Sequence, residues 1–445
     1  MTVIQVRTSP SDPLVGSDLV LDWFPADRAA STINVADSFL NDLAIDPTAR
    51  ELFTLAAAVY CADKVVHRAS QLDHWTRTME FVMRVGDVAR WEAARTVLEP
   101  MLTFLSGDQI KLRFTSVESP DDAVDLGGES AVLEADAVCL FSGGLDSLTG
   151  ATDLLSGGSR LVLVGHHDSP LAETKQEVLA PRLADHFGED AVRRRPLYLR
   201  PAVPNSKNQA QPIDATDPET TTRTRSFLFV AAAIAIASAV GPGTPVYMPE
   251  NGFIGVNVPL TPSRSGSLST RTTHPLYVDY FHRALDCLGI PHRIENPFRL
   301  QTKGELIESC TDRALLQDLA PLTVSCSHPE AARWHQGKQG NCGSCYPCLI
   351  RRASLHRVGW DDPNDYDVDA LNDGRLLLRH WTSGASLRAL LKSLSQPTKR
   401  SDVVLNGRIP NGEQPAFYDM WLRGRAELRD WLDAGGSAEV RRRYA

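Results

Sequence analysis

The most constraining stretch of the chain is a short glycine-rich turn, Ser142-Gly143-Gly144-Leu145-Asp146-Ser147. It separates two elements of different kind. Before it, Ala137-Val138-Cys139-Leu140-Phe141 is a continuous apolar run, suited to a buried strand. After it, Ser147–Leu155 reads as a helix. A turn of this composition between a strand and a helix is a natural phosphate cradle. Glycines let the backbone approach an anion, and the free N–H groups and dipole of the helix N-terminus favour negative charge. No Gly-Lys-Ser/Thr follows, so this is not a Walker A loop. Ser142, Gly143, Gly144, Leu145 and Ser147 are the candidate donors to phosphate oxygens. Asp146 cannot touch phosphate directly, because like charges repel. It makes sense as a Mg²⁺ ligand that bridges to the phosphates.

From about residue 136 strands and helices alternate. Strands are expected at Val138–Phe141, Leu161–Val164, Leu197–Leu199, Val246–Met248 and His292–Ile294. Helices are expected at Ser147–Leu155, Ala172–Phe187, Arg225–Val240, Tyr277–Leu288 and Lys303–Cys310. This order predicts βαβ units and an α/β, parallel-sheet core. Ligands on such sheets sit at the carboxyl ends of the strands. The turn lies there, and so does Gly165-His166-His167-Asp168, which makes His166 a second nucleotide-side candidate. Residues 1–130 read as a separate α+β unit. Leu52, Leu55, Ala56 and Val59 give it an amphipathic helix. Residues 361–445 read as a helical extension, with helices over Leu376–Leu394 and Phe417–Leu432. Two polar stretches, Pro201–Thr224 and Pro259–Pro275, have the length of lids or binding loops.

A second constellation is Cys326, Cys342, Cys345 and Cys348, spaced C-x15-C-x2-C-x2-C. Four thiolates satisfy tetrahedral zinc and leave no open position, which defines a structural site. It would staple residues 324–349, which have little apolar content of their own. An iron–sulfur cluster is the alternative for the same ligands. His328 and His335 are spare. Cations stand at Arg223 and Arg225, before an apolar helix, and at Lys303, at a helix start where the dipole disfavours a cation. An anionic ligand would account for Lys303, and a cation at Arg223 or Arg225 could reach a triphosphate from a neighbouring turn.

The net charge of −9 argues against bulk nucleic-acid binding. Arg193-Arg194-Arg195 and Arg441-Arg442-Arg443 read as solvated faces. The N-terminus lacks the apolar stretch of a signal peptide. Phe227–Val240 falls short of the about 20 residues that span a bilayer. Clustered cysteines in a chain of 445 residues fit metal chemistry in a reducing compartment, so a cytoplasmic location is expected.

With both motifs in hand, residues 136–357 resemble the 7-cyano-7-deazaguanine synthase (QueC) family. The likeness rests on Ser142–Ser147, on Lys303-Gly304-Glu305 after Pro297-Phe298, and on the cysteine quartet. It implies an adenine-nucleotide α-hydrolase (PP-loop ATPase) core, a zinc-stapled lobe, and cleavage of ATP to AMP and pyrophosphate. It implies ATP, Mg²⁺ and Zn²⁺ as cofactors and adenylation of a 7-deazapurine carboxylate, followed by attack of an amine. In that family a second activation gives the nitrile. Asp146, Ser147, Lys303 and Arg225 would carry the chemistry. A catalytic thiol, as in the tRNA-thiolating relatives, would need Cys139, Cys287 or Cys310.

Three departures refine the resemblance, the first being a chain about twice the synthase's usual size. The segment Ser265–Pro275 lacks the Ser-Gly-Tyr-Pro-Asp-Cys-Arg pattern of the synthase. The first unit carries Ala62-Asp63-Lys64, Asp73-His74-Trp75-Thr76-Arg77 and Leu105-Ser106-Gly107-Asp108. Together these are similar to QueC-like proteins of the Qat anti-phage defence system. That resemblance implies partner proteins from a defence operon and a protein amine as acceptor.

Overall fold

The computed structural model describes residues 1–24, 31–40, 43–116, 133–166, 170–201, 219, 223–260, 271–327 and 340–444. The chain begins with β1 (Thr2–Arg7), β2 (Leu19–Asp22), β3 (Ile33–Val35), α1 (Asp37–Leu40), α2 (Pro47–Val65), β4 (Thr78–Val85), α3 (Val88–Ser106) and β5 (Gln109–Ser116). Local chemistry sets the helix ends. Asp46 caps α2 by accepting from the Ala49 N–H at 3.0 Å, and Pro47 opens it. Gly107, at φ +75°, closes α3 in the left-handed region.

Four of these strands form a sheet in the order β2-β1-β4-β5, and every neighbouring pair is parallel. The expected α+β character of this unit is therefore corrected to α/β. The physical reason is connectivity: α2 leads into β4 and α3 joins β4 to β5, and parallel strands need such crossovers.

The central sheet follows. It is built from β6 (Ala137–Leu140), α4 (Leu145–Ser156), β7 (Leu161–His166), α5 (Pro170–Phe187), β8 (Val192–Leu197), β9 (Leu199–Pro201), α6 (Arg225–Val240), β10 (Val246–Tyr247), α7 (Gly252–Gly255), α8 (Pro275–Leu288), β11 (Ile294–Glu295), α9 (Lys303–Glu308) and α10 (Arg313–Leu319). The order is β11-β10-β6-β7-β8, all parallel. The strand expected at Leu197–Leu199 is instead two strands meeting at Tyr198. Arg193, Arg194 and Arg195 belong to β8, and their charge hid it from the apolar pattern. Arginines suit an edge strand, where they discourage pairing with another chain. β9 leaves the sheet and pairs antiparallel with β3, tying the two units together.

Alternation along the strands feeds two layers. Val138, Val162 and Val164 belong to the core around α6, whereas Ala137, Cys139, Leu161 and Leu163 belong to the core beneath α4 and α5. Helix α6 is buried almost all round, because the sheet lies on one side and α2 packs on the other. Helix α3 packs on α8 in the same way. One hydrophobic core thus runs from Ile4 through Phe53 and Ile234 to Phe281.

The last helices are α11 (Tyr346–Arg357), α12 (Ala385–Leu394), α13 (Gln414–Gly435) and α14 (Ala438–Arg441). They surround a further core containing Leu349, Leu391, Met420 and Trp431. The helix expected over Leu376–Leu394 begins only at Ala385. Gly384 explains the break: a Cβ there would lie 1.9 Å from the Leu376 carbonyl oxygen, so the chain turns back on itself. Arg388 then donates to the carbonyls of Leu376, Leu378 and Trp381. Among the described residues no helix is long and apolar enough to cross a membrane.

Candidate functional site

The turn at residues 142–147 leaves the carboxyl end of β6 and opens α4. Gly143 takes φ +77°, and Gly144 is an N-cap with no side-chain cap of its own. The first N–H groups of α4 are thus left without a side-chain acceptor at their cap, as an anion site requires. Ser147 Oγ donates to the Gly144 carbonyl at 3.0 Å and lies 3.3 Å from Ser142 Oγ. The turn is further held by Val324, whose N–H donates to the Gly143 carbonyl at 3.2 Å.

Asp146, in the first turn of α4, is buried and faces Lys303 at the start of α9. Its carboxylate pairs with the Lys303 ammonium and accepts from Asn251 Nδ2 at 2.6 Å and the Asn251 N–H at 3.2 Å. Lys303 was expected to call for an anionic ligand. Within the protein that anion is Asp146. Burial works to raise the Asp146 pKa, but the Lys303 charge and the hydrogen bonds outweigh it and hold the carboxyl below its ordinary value.

Beside it stands Glu250, half-buried, just past β10. Burial first, and then the negative charge of Asp146, push the Glu250 carboxyl well above its ordinary value. The pair is therefore pulled apart, Asp146 toward the ionised form and Glu250 toward the protonated form. The sign of the stability effect follows. A raised carboxyl pKa contributes stability that is present below the unfolded pKa and is lost as pH rises through the folded pKa. In magnesium-free buffer, Glu250→Gln is expected to raise Tm at about pH 8 and leave it nearly unchanged at about pH 4. A melt series across that range checks this, and a lower Tm at the alkaline end would count against it.

A cavity of about 400 Å³ opens over these groups. Ser142, Gly144, Asp146, Ser147, Glu250 and Lys303 make its polar floor. Ile254, Val258, Leu260 and Ile350 supply an apolar wall, and Cys345, Tyr346 and Pro347 bring the cysteine segment to its rim. The two carboxyl groups offer hard oxygen donors of the kind that hold Mg²⁺, whose charge would itself favour the ionised form of Glu250.

The four cysteines converge. The Sγ atoms of Cys326, Cys342, Cys345 and Cys348 all lie within 4.8 Å of one another. Cys326 and Cys345 are 3.8 Å apart, and Cys342 and Cys348 are 4.0 Å apart. A tetrahedron with Zn–S bonds near 2.3 Å has sulfurs about 3.8 Å apart. The spacing thus fits one ion. A cluster of several irons would hold its thiolates further apart. The neighbouring thiols hold Cys342 and Cys345 below the usual thiol range and push Cys326 and Cys348 above it. The quartet can hold a zinc ion.

Other candidates fall elsewhere. Arg225 lies in the first turn of α6 over the Phe229 ring, outside the residues that line the cavity. His166 is buried edge-on between Tyr60 and Phe229, also outside that lining. Leu145 lines the cavity, though its side chain is core. Arg223 is a correction: its Nη1 donates to the Ser106 carbonyl at 3.0 Å, and its guanidinium lies 4.1 Å from the Trp75 ring centroid. It is bound into the junction with the first unit and does not reach toward the turn. Cys310 lies just after α9 rather than within it; its thiol and that of Cys139 are pushed up to about 12 by burial. Neither suits a nucleophile. His167, Asp168, His328, His335 and most of Ser265–Pro275 lie outside the described residues.

Glu250 and Asn251 escaped the sequence reading. The available signal was position: Met248-Pro249-Glu250-Asn251 follows an apolar strand, at the sheet edge where ligands bind. No protein-family model matches the chain, and no curated protein matches it.

Proposed function

We propose that the chain is an ATP-dependent adenylating ligase of the PP-loop, QueC-like type, acting on a 7-deazapurine carboxylate and an amine acceptor in bacterial anti-phage defence. The observation that carries the reading is a capless helix N-terminus after a Ser/Gly turn, opening on a cavity that also holds a carboxyl pair and a buried lysine. The apolar wall of that cavity suits a planar heterocycle.

In this reading the turn's N–H groups and the Ser142 and Ser147 hydroxyls hold the outer phosphates. Asp146 and Glu250 would hold Mg²⁺, which supplies charge neutralisation on the phosphates. The substrate carboxylate oxygen attacks the α-phosphorus, the α–β phosphoanhydride bond breaks, and pyrophosphate leaves. The amine nitrogen then attacks the acyl carbon. AMP departs with the carboxylate oxygen, and the amine loses a proton to solvent. Most of the catalysis is positioning and charge stabilisation.

Asp146→Asn is expected to lower carboxylate-dependent pyrophosphate release by about a hundredfold or more. It also leaves Lys303 buried without its partner. Adding Lys303→Met should therefore recover stability but not activity. Incubation with ATP, 7-carboxy-7-deazaguanine and operon partner proteins should yield AMP, pyrophosphate and a mass increase on a partner. ADP and phosphate as products would sink the reading, and free nitrile alone would sink the protein-acceptor part of it.

A further inference from the structure

Helix α5 crosses directly over the turn. A Cβ on Gly143 would lie 3.0 Å from Lys175 Cβ and 3.4 Å from the Gln176 nitrogen. Gln176, almost fully buried, fixes that register by donating from Nε2 to the His166 carbonyl at 3.4 Å. Lys175 is thereby held at the turn, half-buried. Arg351 of α11, 3% exposed, holds the stretch that braces the turn, since its partners Thr323 and Ser325 flank Val324. Its donors go to neutral oxygens: Thr323 Oγ1 at 2.6 Å, the Ala320 carbonyl at 2.7 Å and Ser325 Oγ at 3.4 Å. Ser325 lines the cavity.

Charge around the turn does not balance. The Asp146 carboxylate is matched by Lys303. Lys175 and Arg351 are then two further cations, and among the described residues neither makes an ion pair with a carboxylate. Burial, and then the positive charge of Arg351, lower the Lys175 pKa. Two cations beside a phosphate-type turn, neither matched by a carboxylate among the described residues, fit an anion there.

We propose that Lys175 and Arg351 form the second jaw of an anion site that takes the leaving pyrophosphate, opposite the Ser142–Ser147 turn. This rests on the adenylating reading and adds to it two residues that no motif pointed to. As the α–β bond breaks, its electron pair stays on the bridging oxygen that departs with pyrophosphate. Lys175 and Arg351 stabilise that charge, and no proton has to move. Lys175 is the catalytic group: it lies outside the cavity lining, but its Cβ stands at Gly143, from which its ammonium would reach the phosphate oxygens held by the turn. Arg351 also anchors the cysteine segment, so its replacement would disturb the fold.

The test therefore uses Lys175. Binding of magnesium pyrophosphate, ATP and adenosine to the full-length protein is measured by calorimetry for wild type, Lys175→Gln and Lys175→Arg. Loss of one charge-assisted contact should weaken pyrophosphate and ATP about tenfold in Lys175→Gln. Adenosine binding should be unchanged, and Lys175→Arg should restore most of the loss. Equal pyrophosphate binding by wild type and Lys175→Gln overturns the jaw and leaves the adenylating reading standing. Equal weakening of pyrophosphate and adenosine marks structural damage and overturns it too. A wild-type protein that binds neither ATP nor pyrophosphate removes the adenylating reading itself, and the jaw with it.

Discussion

Stripping the metal from the cysteine quartet is expected to unfold the segment around α11 and to abolish nucleotide binding. The purified chain should carry about one zinc. Structural zinc sites in small peptides have apparent binding free energies of about 10–16 kcal/mol, which is folding free energy for the segment they close. Cys345 is the N-cap of α11, its sulfur accepts from the Ser327 N–H at 3.5 Å, and Gly343 sits at φ +83° against Tyr366 and Val368. The loss should spread to the cavity by two routes. Val324 donates to Gly143, and Cys345 and Tyr346 form the rim. Chelation, or Cys345→Ser, should therefore lower Tm and cost ATP affinity together. Metal analysis, a thermal melt and hydrogen exchange over 340–357 check this. An apoprotein with unchanged Tm and ATP affinity would show that the quartet is not a structural site.

Asp63→Ala is expected to destabilise the fold by about 3–5 kcal/mol, the cost of breaking a buried charge pair and leaving its partner unmatched. Asp63 has no exposed surface. It accepts from the N–H groups of Arg223 and Thr224 at 2.7 and 2.9 Å and from Thr224 Oγ1 at 2.9 Å. Helix α6 has no side-chain cap of its own at Thr224, so Asp63 caps it from another part of the chain. Arg77 donates to Asp63 at 2.5 Å and to Asp108 at 2.6 Å, and Arg68 makes a two-pronged pair with Asp108. Burial works to raise the Asp108 pKa, and the two arginines more than offset it. A urea melt measures the loss. Adding Arg77→Met should return part of it, since Arg77 and Arg68 would otherwise share the one remaining buried carboxylate, Asp108. A loss below about 1 kcal/mol, the scale of an exposed ion pair, would contradict the network's role.

These two networks also show what the sequence could reveal. The strand, turn and helix around Ser142 were legible because apolar periodicity and a glycine turn are local signals. So was the cysteine quartet as a metal site, since its spacing is a local signal, although zinc and iron–sulfur remained open until the sulfurs were placed. The three motifs at Asp63, Arg77 and Asp108 were visible as words without a grammar. Their meaning lies in long-range pairing, across 31 residues for Arg77 with Asp108 and 160 for Asp63 with Arg223. For the same reason the first unit read as separate, although its helices α2 and α3 bury the faces of α6 and α8. Lys303 was noticed as a cation in the wrong place, but its partner Asp146 lies 157 residues away. Lys175 carried no local signal, and Glu250 only its place after an apolar strand. Each gains its significance from what the sheet brings beside it.

The central claim is that a carboxylate oxygen attacks the α-phosphorus of ATP. Heavy-oxygen-labelled 7-carboxy-7-deazaguanine tests it most directly. With ATP, Mg²⁺ and an amine acceptor present, AMP recovered by mass spectrometry should carry the label, because AMP leaves with the carboxylate oxygen. Wild type should label AMP in step with pyrophosphate release, and Asp146→Asn should do neither. Unlabelled AMP, formed while the carboxylate keeps both heavy oxygens, would contradict the account.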